Sequence, residues 1–438
     1  MTASAAQGNL TIGVARRDIA PPRPELLKPT GMERLEPTRG VLDPLACEAM
    51  AIDLAGERAF LITSDLRTID HAWVVEARET VGRRLGCDPR RVLFSSVHNH
   101  CSSPVGADDS PEAAEALAEA NRKIVDAFIA ACAEADATRR PAEIAFAQAR
   151  LAEPVGENRR LRLSNGTCVN SWHGGGGICP PGLKVAGSPG PHSTEVRVLC
   201  VREPGAPRPF AALVSYPSHP HLWSIPCFSG EFPGAARREI EGRLPGLAVL
   251  HANATGGDID IHCMHPGPPG GTDAEIRWFQ ESNRLVARRF ADAVAPAIEA
   301  CADYRRPASL RHAYWSSGED DPANNRVTIV NVVVLGDVAV ASIPGELFLA
   351  LGRQAEARSP LPHLVMMGYN GSYGGYQPLP LAFEQGSYEV MRGYARSETD
   401  LLEARPGRRV RRALKDSGLQ VIDRLVAMLA DLAAGRAG

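Results

Sequence analysis

A chain of 438 residues, 44% of them hydrophobic, can bury a sizeable core, which excludes an intrinsically disordered protein. The formal net charge is −3 and no run of Lys and Arg exceeds a few residues, which excludes a nucleic-acid surface. No stretch approaches the roughly 18 continuous apolar residues of a membrane span, so none is expected.

In chain order, residues 10–15 read as a strand running into Arg16-Arg17-Asp18-Ile19-Ala20-Pro21-Pro22, where two prolines stop regular structure. An irregular surface loop is expected over 23–40. Residues 45–54 and 59–62 flank Ala55-Gly56-Glu57-Arg58 and read as a hairpin that ends at Asp65. The spacing over 73–85 predicts a helix, with Gly86 just past its end. Residues 91–97 are a buried-strand pattern that stops at His98-Asn99-His100. A long Ala-rich helix is predicted over 110–137, with Pro111 in its first turn, and a strand over 142–149.

Residues 153–190 are polar and Gly-rich, too long for a plain connection, and read as an irregular functional loop or lid. Strands are predicted over 196–201 and 210–216, leading into Ser218-His219-Pro220-His221, then a helix over 234–244. A strand over 247–252 opens into Thr255-Gly256-Gly257-Asp258-Ile259-Asp260-Ile261-His262, and a second long helix covers 274–302. Strands 327–335 and 338–343 turn at Gly336-Asp337 and deliver Pro344-Gly345-Glu346. Then come a helix over 347–358, a strand over 364–367, the segment 368–378 with Tyr373 and Tyr376, and an amphipathic helix over 408–434. No internal repeat and no linker is evident, so a single domain spanning 1–438 is expected. Hairpins outnumber strand–helix alternations, which predicts an α/β fold of mixed sheets with helices packed outside.

Four strand ends therefore deliver metal-capable side chains: His98 with His100, His219, Glu346 and Tyr376. If the backbone stays extended through His98 and His100, a period of two puts both imidazoles on one face. Nitrogen and oxygen donors of this kind suit zinc better than calcium. Spacing alone leaves satisfied polar residues at strand tips as an open alternative. Asp258, Asp260, His262 and His265 form a rival metal cluster, and Asp65 is either a structural acceptor or a partner for a ligating His.

Residues 13–22, Ser64-Asp65-Leu66, Val97-His98-Asn99-His100-Cys101-Ser102, Ser218-His219-Pro220, Phe232-Pro233-Gly234, Ile343-Pro344-Gly345-Glu346 and the segment 370–378 occur in this order. Together they resemble the catalytic domain of the neutral, non-lysosomal ceramidases, a family of zinc-dependent amidases, over about residues 10 to 395. The resemblance implies zinc held by His98, His219, Glu346 and Tyr376, with His100 a neighbouring or substrate-facing group. The glycines around Tyr376 leave Tyr373 as a shifted-register alternative, or as a substrate contact. Tyr388 and Glu389 would close the same substrate loop.

Two departures qualify what is implied. Ceramidases carry a serine in a Gly-Asp-Val-Ser-Pro segment, where this chain has Asp260. The chain also stops at 438 without the C-terminal β-sandwich of secreted ceramidases, and residues 1–10 lack a signal peptide's basic and apolar regions. With ten cysteines and no C-x-x-C spacing, a cytoplasmic protein with reduced thiols is expected.

The function expected is zinc-dependent hydrolysis of an amide or ester in a small polar substrate. His100 or Asp260 would move the proton, Tyr376 would stabilise the oxyanion, and Arg159, Arg160 and His221 would contact substrate. Two alternatives remain open at this point: a metal-dependent lyase or epimerase, and a metal-free binding protein. A homo-oligomer is compatible with the sequence.

Overall fold

The computed structural model describes residues 9–29, 38–102, 110–171, 179–261, 270–318, 327–372, 374–391 and 417–436. Among them lie three large mixed sheets, and each is built from the same succession of elements. The first unit runs through strands Leu10–Asp18, Ala46–Leu54 and Glu57–Ser64, helix His71–Leu85, strand Val92–Ser96 and helix Pro111–Ala137. The second runs through strands Glu143–Arg150, Glu195–Arg202 and Ala211–Tyr216, helix Glu231–Arg243, strand Ala248–Asn253 and helix Thr272–Glu299. The third runs through strands Leu310–Ser316, Ile329–Leu335 and Val338–Ser342, helix Leu349–Arg358, strand His363–Met367 and helix Ser417–Ala433.

In every unit the first three strands form an antiparallel meander, and the fourth adds parallel to the third. A parallel neighbour cannot be reached by a tight turn, so the chain crosses over through a helix. This threefold repeat overturns the expectation of no internal repeat. The repeat lies in topology: loops of unequal length separate equivalent strands, and any β-branched or small apolar residue satisfies an inner position.

Local chemistry explains the elements. Asp70 accepts from the Ala72 amide and starts the first helix, while Gly86, at φ 67°, ends it. Ser110 accepts from the Ala113 amide and Pro111 pre-sets the first turn of the next. Inner faces of the three sheets meet in one central cluster that includes Leu61, Leu93, Leu213, Leu250, Val340 and Val365. Each such side chain contributes about 1.5–3 kcal/mol on burial. The outer face of each sheet is covered by the two helices of its own unit.

Small polar residues stitch the units where the fourth strands meet. Ser95 Oγ donates to the Gly368 carbonyl at 2.8 Å, Ser215 Oγ to Met366 at 2.6 Å, and Ser342 Oγ to Phe94 at 2.7 Å. A buried ion network joins the first two units as well. Arg237 holds Asp65 through 3.1 and 2.8 Å bonds and lies 3.0 Å from Glu48, which also takes Arg16. Asp65 is therefore a structural acceptor.

Other expectations need correction. Residues 153–190 are not wholly irregular: Arg160–Leu163, Cys168–Asn170 and Val185–Gly187 form a small sheet, and Gly156–Asn158 pairs with Ile259–Ile261. Their polar, Gly-rich composition hides them because they are short and half-exposed. Strand Leu310–Ser316 has no counterpart in the sequence reading, since its Arg, His and Tyr do not alternate cleanly. The helix predicted from 234 starts at Glu231. The stretch 408–416 and the loop residues Tyr373, His262 and His265 lie outside the described residues.

Candidate metal centre

In all three units the ends of the parallel third and fourth strands point to the same place. The first unit sends His98 and His100 from its fourth strand; the second and third send His219 and Glu346 from their third strands. The extended course expected through His98 is not what brings the imidazoles together. The strand stops at Ser96, and His98 is left-handed, with φ 64°. Such a conformation costs a non-glycine residue on the order of 1 kcal/mol and needs support from its surroundings. That support comes from Val97 N to Ser64 O at 3.0 Å, Asn99 N to Leu66 O at 3.1 Å, and Asn253 Nδ2 to Val97 O at 3.1 Å.

One nitrogen from each of His98, His100 and His219 falls in a group whose members all lie within 4.8 Å of one another. Ring centroids are 4.9 Å apart for His98 and His100, 4.5 Å for His98 and His219, and 4.7 Å for His100 and His219. Glu346 Oε2 sits 3.4 Å from His98 Nε2 and 3.5 Å from His219 Nδ1. His100, expected as a neighbouring or substrate-facing group, is thus one of the three imidazoles that come together.

The protonation states follow from burial. His98 Nδ1 lies 2.9 Å from the Arg67 carbonyl, which can only accept, so Nδ1 carries the hydrogen and neutral His98 presents a lone pair at Nε2. Burial pushes all three imidazoles well below their usual pKa; the Arg67 charge adds to this at His98, His221 at His100 and Arg159 at His219. Neutral imidazole is the ligating form. His100 Nε2 and His219 Nδ1 are buried and find no hydrogen-bond partner among the described residues. Electron pairs of His98 and Glu346 face one another across 3.4 Å. A divalent cation between these donors would relieve every one of these costs, so the residues fit a metal.

Tyr376 pairs in register with Glu346 on two short parallel strands, Glu346–Leu347 and Tyr376–Gln377. Its hydroxyl oxygen accepts from Arg159 Nη2 at 2.9 Å. Arg159 is 2% exposed, and its guanidinium also donates to Glu389 at 2.7 Å, Asp260 at 2.8 Å and the Gly257 carbonyl at 2.9 Å. Arg160 lies 3.5 Å from Glu389 Oε2 and donates to Gln385 at 3.0 Å. Both arginines are therefore occupied by protein acceptors in the wall of the site and are not set on a solvated loop. Asp260 backs onto His219 through an isolated bridge, and burial, opposed by Arg159, raises its carboxyl to about 6. His221 stacks on His100 at 4.5 Å and 17°, with Nε2 3.0 Å from Ser224 Oγ.

Of the rival cluster, His262 and His265 lie outside the described residues, and the described Asp258 is engaged by protein donors. Asp258 accepts from Asn158 Nδ2 at 2.7 Å and from the Leu349 amide at 2.8 Å, which fixes a helix start.

Several site residues were invisible in the sequence. Asn253 donates to Val97 and Ser218 carbonyls and accepts from the Ser218 amide, tying the His98 loop to the His219 loop. Its only signal is an Asn at the end of an apolar strand. Glu231, left-handed at φ 47°, is 1% exposed and accepts from the His100 amide at 2.7 Å; burial pushes its carboxyl well up. Tyr369 stacks on His98 at 4.4 Å.

The sequence matches no family model and no curated protein. Solved structures do match. A neutral ceramidase from Pseudomonas aeruginosa superimposes with a TM-score of 0.73 at 13% identity, over 98% of this chain and 75% of its own. A ceramidase complexed with C2 gives a TM-score of 0.73 at 13% identity, over 98% of this chain and 76% of its own. The mixed sheets and outer helices expected from the sequence are thus a known architecture: this chain has the neutral-ceramidase fold.

Proposed function

We propose that the protein is a zinc-dependent hydrolase of an amide or ester bond, with the metal held by His98, His100, His219 and Glu346 and faced by Tyr376. The observation that carries this reading is the meeting of three neutral imidazoles and one carboxylate, from three separate units, inside 4.8 Å for the nitrogens. Nitrogen-rich sites with one carboxylate favour zinc among common divalent ions. When bound, zinc supplies Lewis acidity, which acidifies a water and polarises a carbonyl.

The remaining chemistry belongs to the chain. Arg159 Nη2 donates to the Tyr376 oxygen and orients the phenol, whose hydroxyl would donate to the oxygen that gains charge as the carbonyl is attacked. Arg159 Nη1 holds Asp260 Oδ1, leaving Oδ2 to accept a proton and return it to the leaving group. His221, stacked on His100 and half-buried, is the residue we assign to substrate contact. We take the three units to act as one catalytic body of a single domain.

Plasma mass spectrometry on protein purified without added metal tests the site. About one zinc per chain, lost on His219→Ala, is the expected result; wild type without stoichiometric metal, even after zinc is offered, sinks the reading. Turnover in 18O-labelled water separates hydrolysis, which places solvent oxygen in the product, from lyase or epimerase chemistry, which does not.

A further inference from the structure

The repeat makes one position conspicuous. His219 lies three residues beyond Tyr216, the end of its unit's third strand, and Glu346 lies four beyond Ser342. The counterpart in the first unit, three residues beyond Ser64, is Arg67. We propose that Arg67 is an anion-recognition residue of this site, and that the substrate carries a carboxylate beside its scissile amide or ester. The bond-breaking half of this rests on the hydrolase reading; the charge preference does not.

The backbone of Arg67 is clasped to the centre. Its carbonyl accepts from His98 Nδ1 at 2.9 Å and Ser96 Oγ at 3.1 Å, and its amide donates to Ser102 Oγ at 3.0 Å. Its side chain is only half-buried and makes no ion pair or hydrogen bond among the described residues. The contrast with the other site arginines is plain: Arg159, Arg160 and Arg237 are 2% exposed and held by carboxylates. The carbonyl bond to His98 Nδ1 keeps the residue against the His98 ring, at the position from which the other two units send His219 and Glu346.

Charge balance points the same way. Arg159 and Arg160 are matched by Asp260 and Glu389. A divalent ion against the single Glu346 carboxylate leaves positive charge, and Arg67 adds to it. A neutral amide would leave that charge unanswered. A carboxylate answers it, and a guanidinium with a free planar edge can bind it through two parallel hydrogen bonds.

The test uses matched probes on the full chain: N-acyl glycines, acetyl to hexanoyl, against the corresponding neutral N-acyl glycinamides. Affinity is read by calorimetry on zinc-loaded and zinc-stripped protein, and hydrolysis is followed in parallel. Wild type is expected to bind the acids about tenfold more tightly than the amides, Arg67→Gln to lose that preference, and Arg67→Lys to keep part of it. The Gln variant should melt with wild type, because the Arg67 side chain has no ion pair or hydrogen bond to lose among the described residues. Equal affinity for acid and amide in wild type, or an undiminished preference in a folded Arg67→Gln, overturns the proposal. Preferential binding of acids with no hydrolysis of any probe keeps Arg67 and sinks the hydrolase; hydrolysis of acids and amides alike does the reverse.

Discussion

His251 sits at the centre of its strand between Phe232 and Phe290, and neither ring nitrogen has a hydrogen bond among the described residues. Burial holds its pKa down at about 3. The folded chain keeps this ring neutral, whereas the unfolded chain protonates it below roughly 6.5. The unfolded state therefore binds more protons between about pH 3 and 6.5, so stability from this group is full above that window and falls as the pH drops through it. From pH 7 to 5 the loss is about 2 kcal/mol. Urea melts of His251→Leu should show a correspondingly smaller loss over the same interval; an identical pH dependence in the variant would place the effect elsewhere. At this scale the convergence of His98, His219 and Glu346 was legible because each ends an apolar run with a side chain that has no use for a core. Arg67, Asn253 and Glu231 were not, because their roles are to satisfy or face groups on distant segments that the sequence does not place beside them.

The loops at the strand ends are where element-scale specificity lies. Gly256 and Gly257 read as a break in a strand pattern, but their lack of a side chain has a more particular cause. A Cβ at Gly256 would collide with the Ser218 backbone, and one at Gly257 with the Glu346 carbonyl. The pair lets three loops close on one another without separation. Gly257→Ala should push Glu346 outward, weakening metal binding by about tenfold or more and costing about 1–3 kcal/mol. Competition with a coloured chelator measures the first effect; unchanged affinity would show that the Glu346 loop absorbs the clash. Most helices and hairpins were legible from spacing and turn chemistry, as with Gly86 and Gly336. The course of His98 was not, because a left-handed residue held by Asn253 is a tertiary effect with no local signature.

For the whole molecule, a metal at the centre would tie together units whose ligands are far apart in sequence. A ligand that binds only the folded state adds about 2.7 kcal/mol at a hundred times its dissociation constant. Removing zinc with a chelator should lower the melting temperature by on the order of 5 °C, and His219→Ala should abolish that difference. A chelator-insensitive melt in wild type would speak against a metal that links the units. The α/β class was legible from hairpins and crossovers, whereas the threefold repeat was not, since its units share connectivity and not residues.

That repeat has a consequence for symmetry. A ring of three identical subunits also brings one end of each to a common axis, but it can offer only triplicate copies of a single donor. Joined in one chain, the units are free to differ, and they do: two imidazoles from the first, one from the second, a carboxylate from the third, and a lone guanidinium where the first would have repeated the others. The axis is thereby given a handedness and a charged side. A reactant entering it meets unlike neighbours to left and right, which is the condition for distinguishing the two halves of the bond it presents.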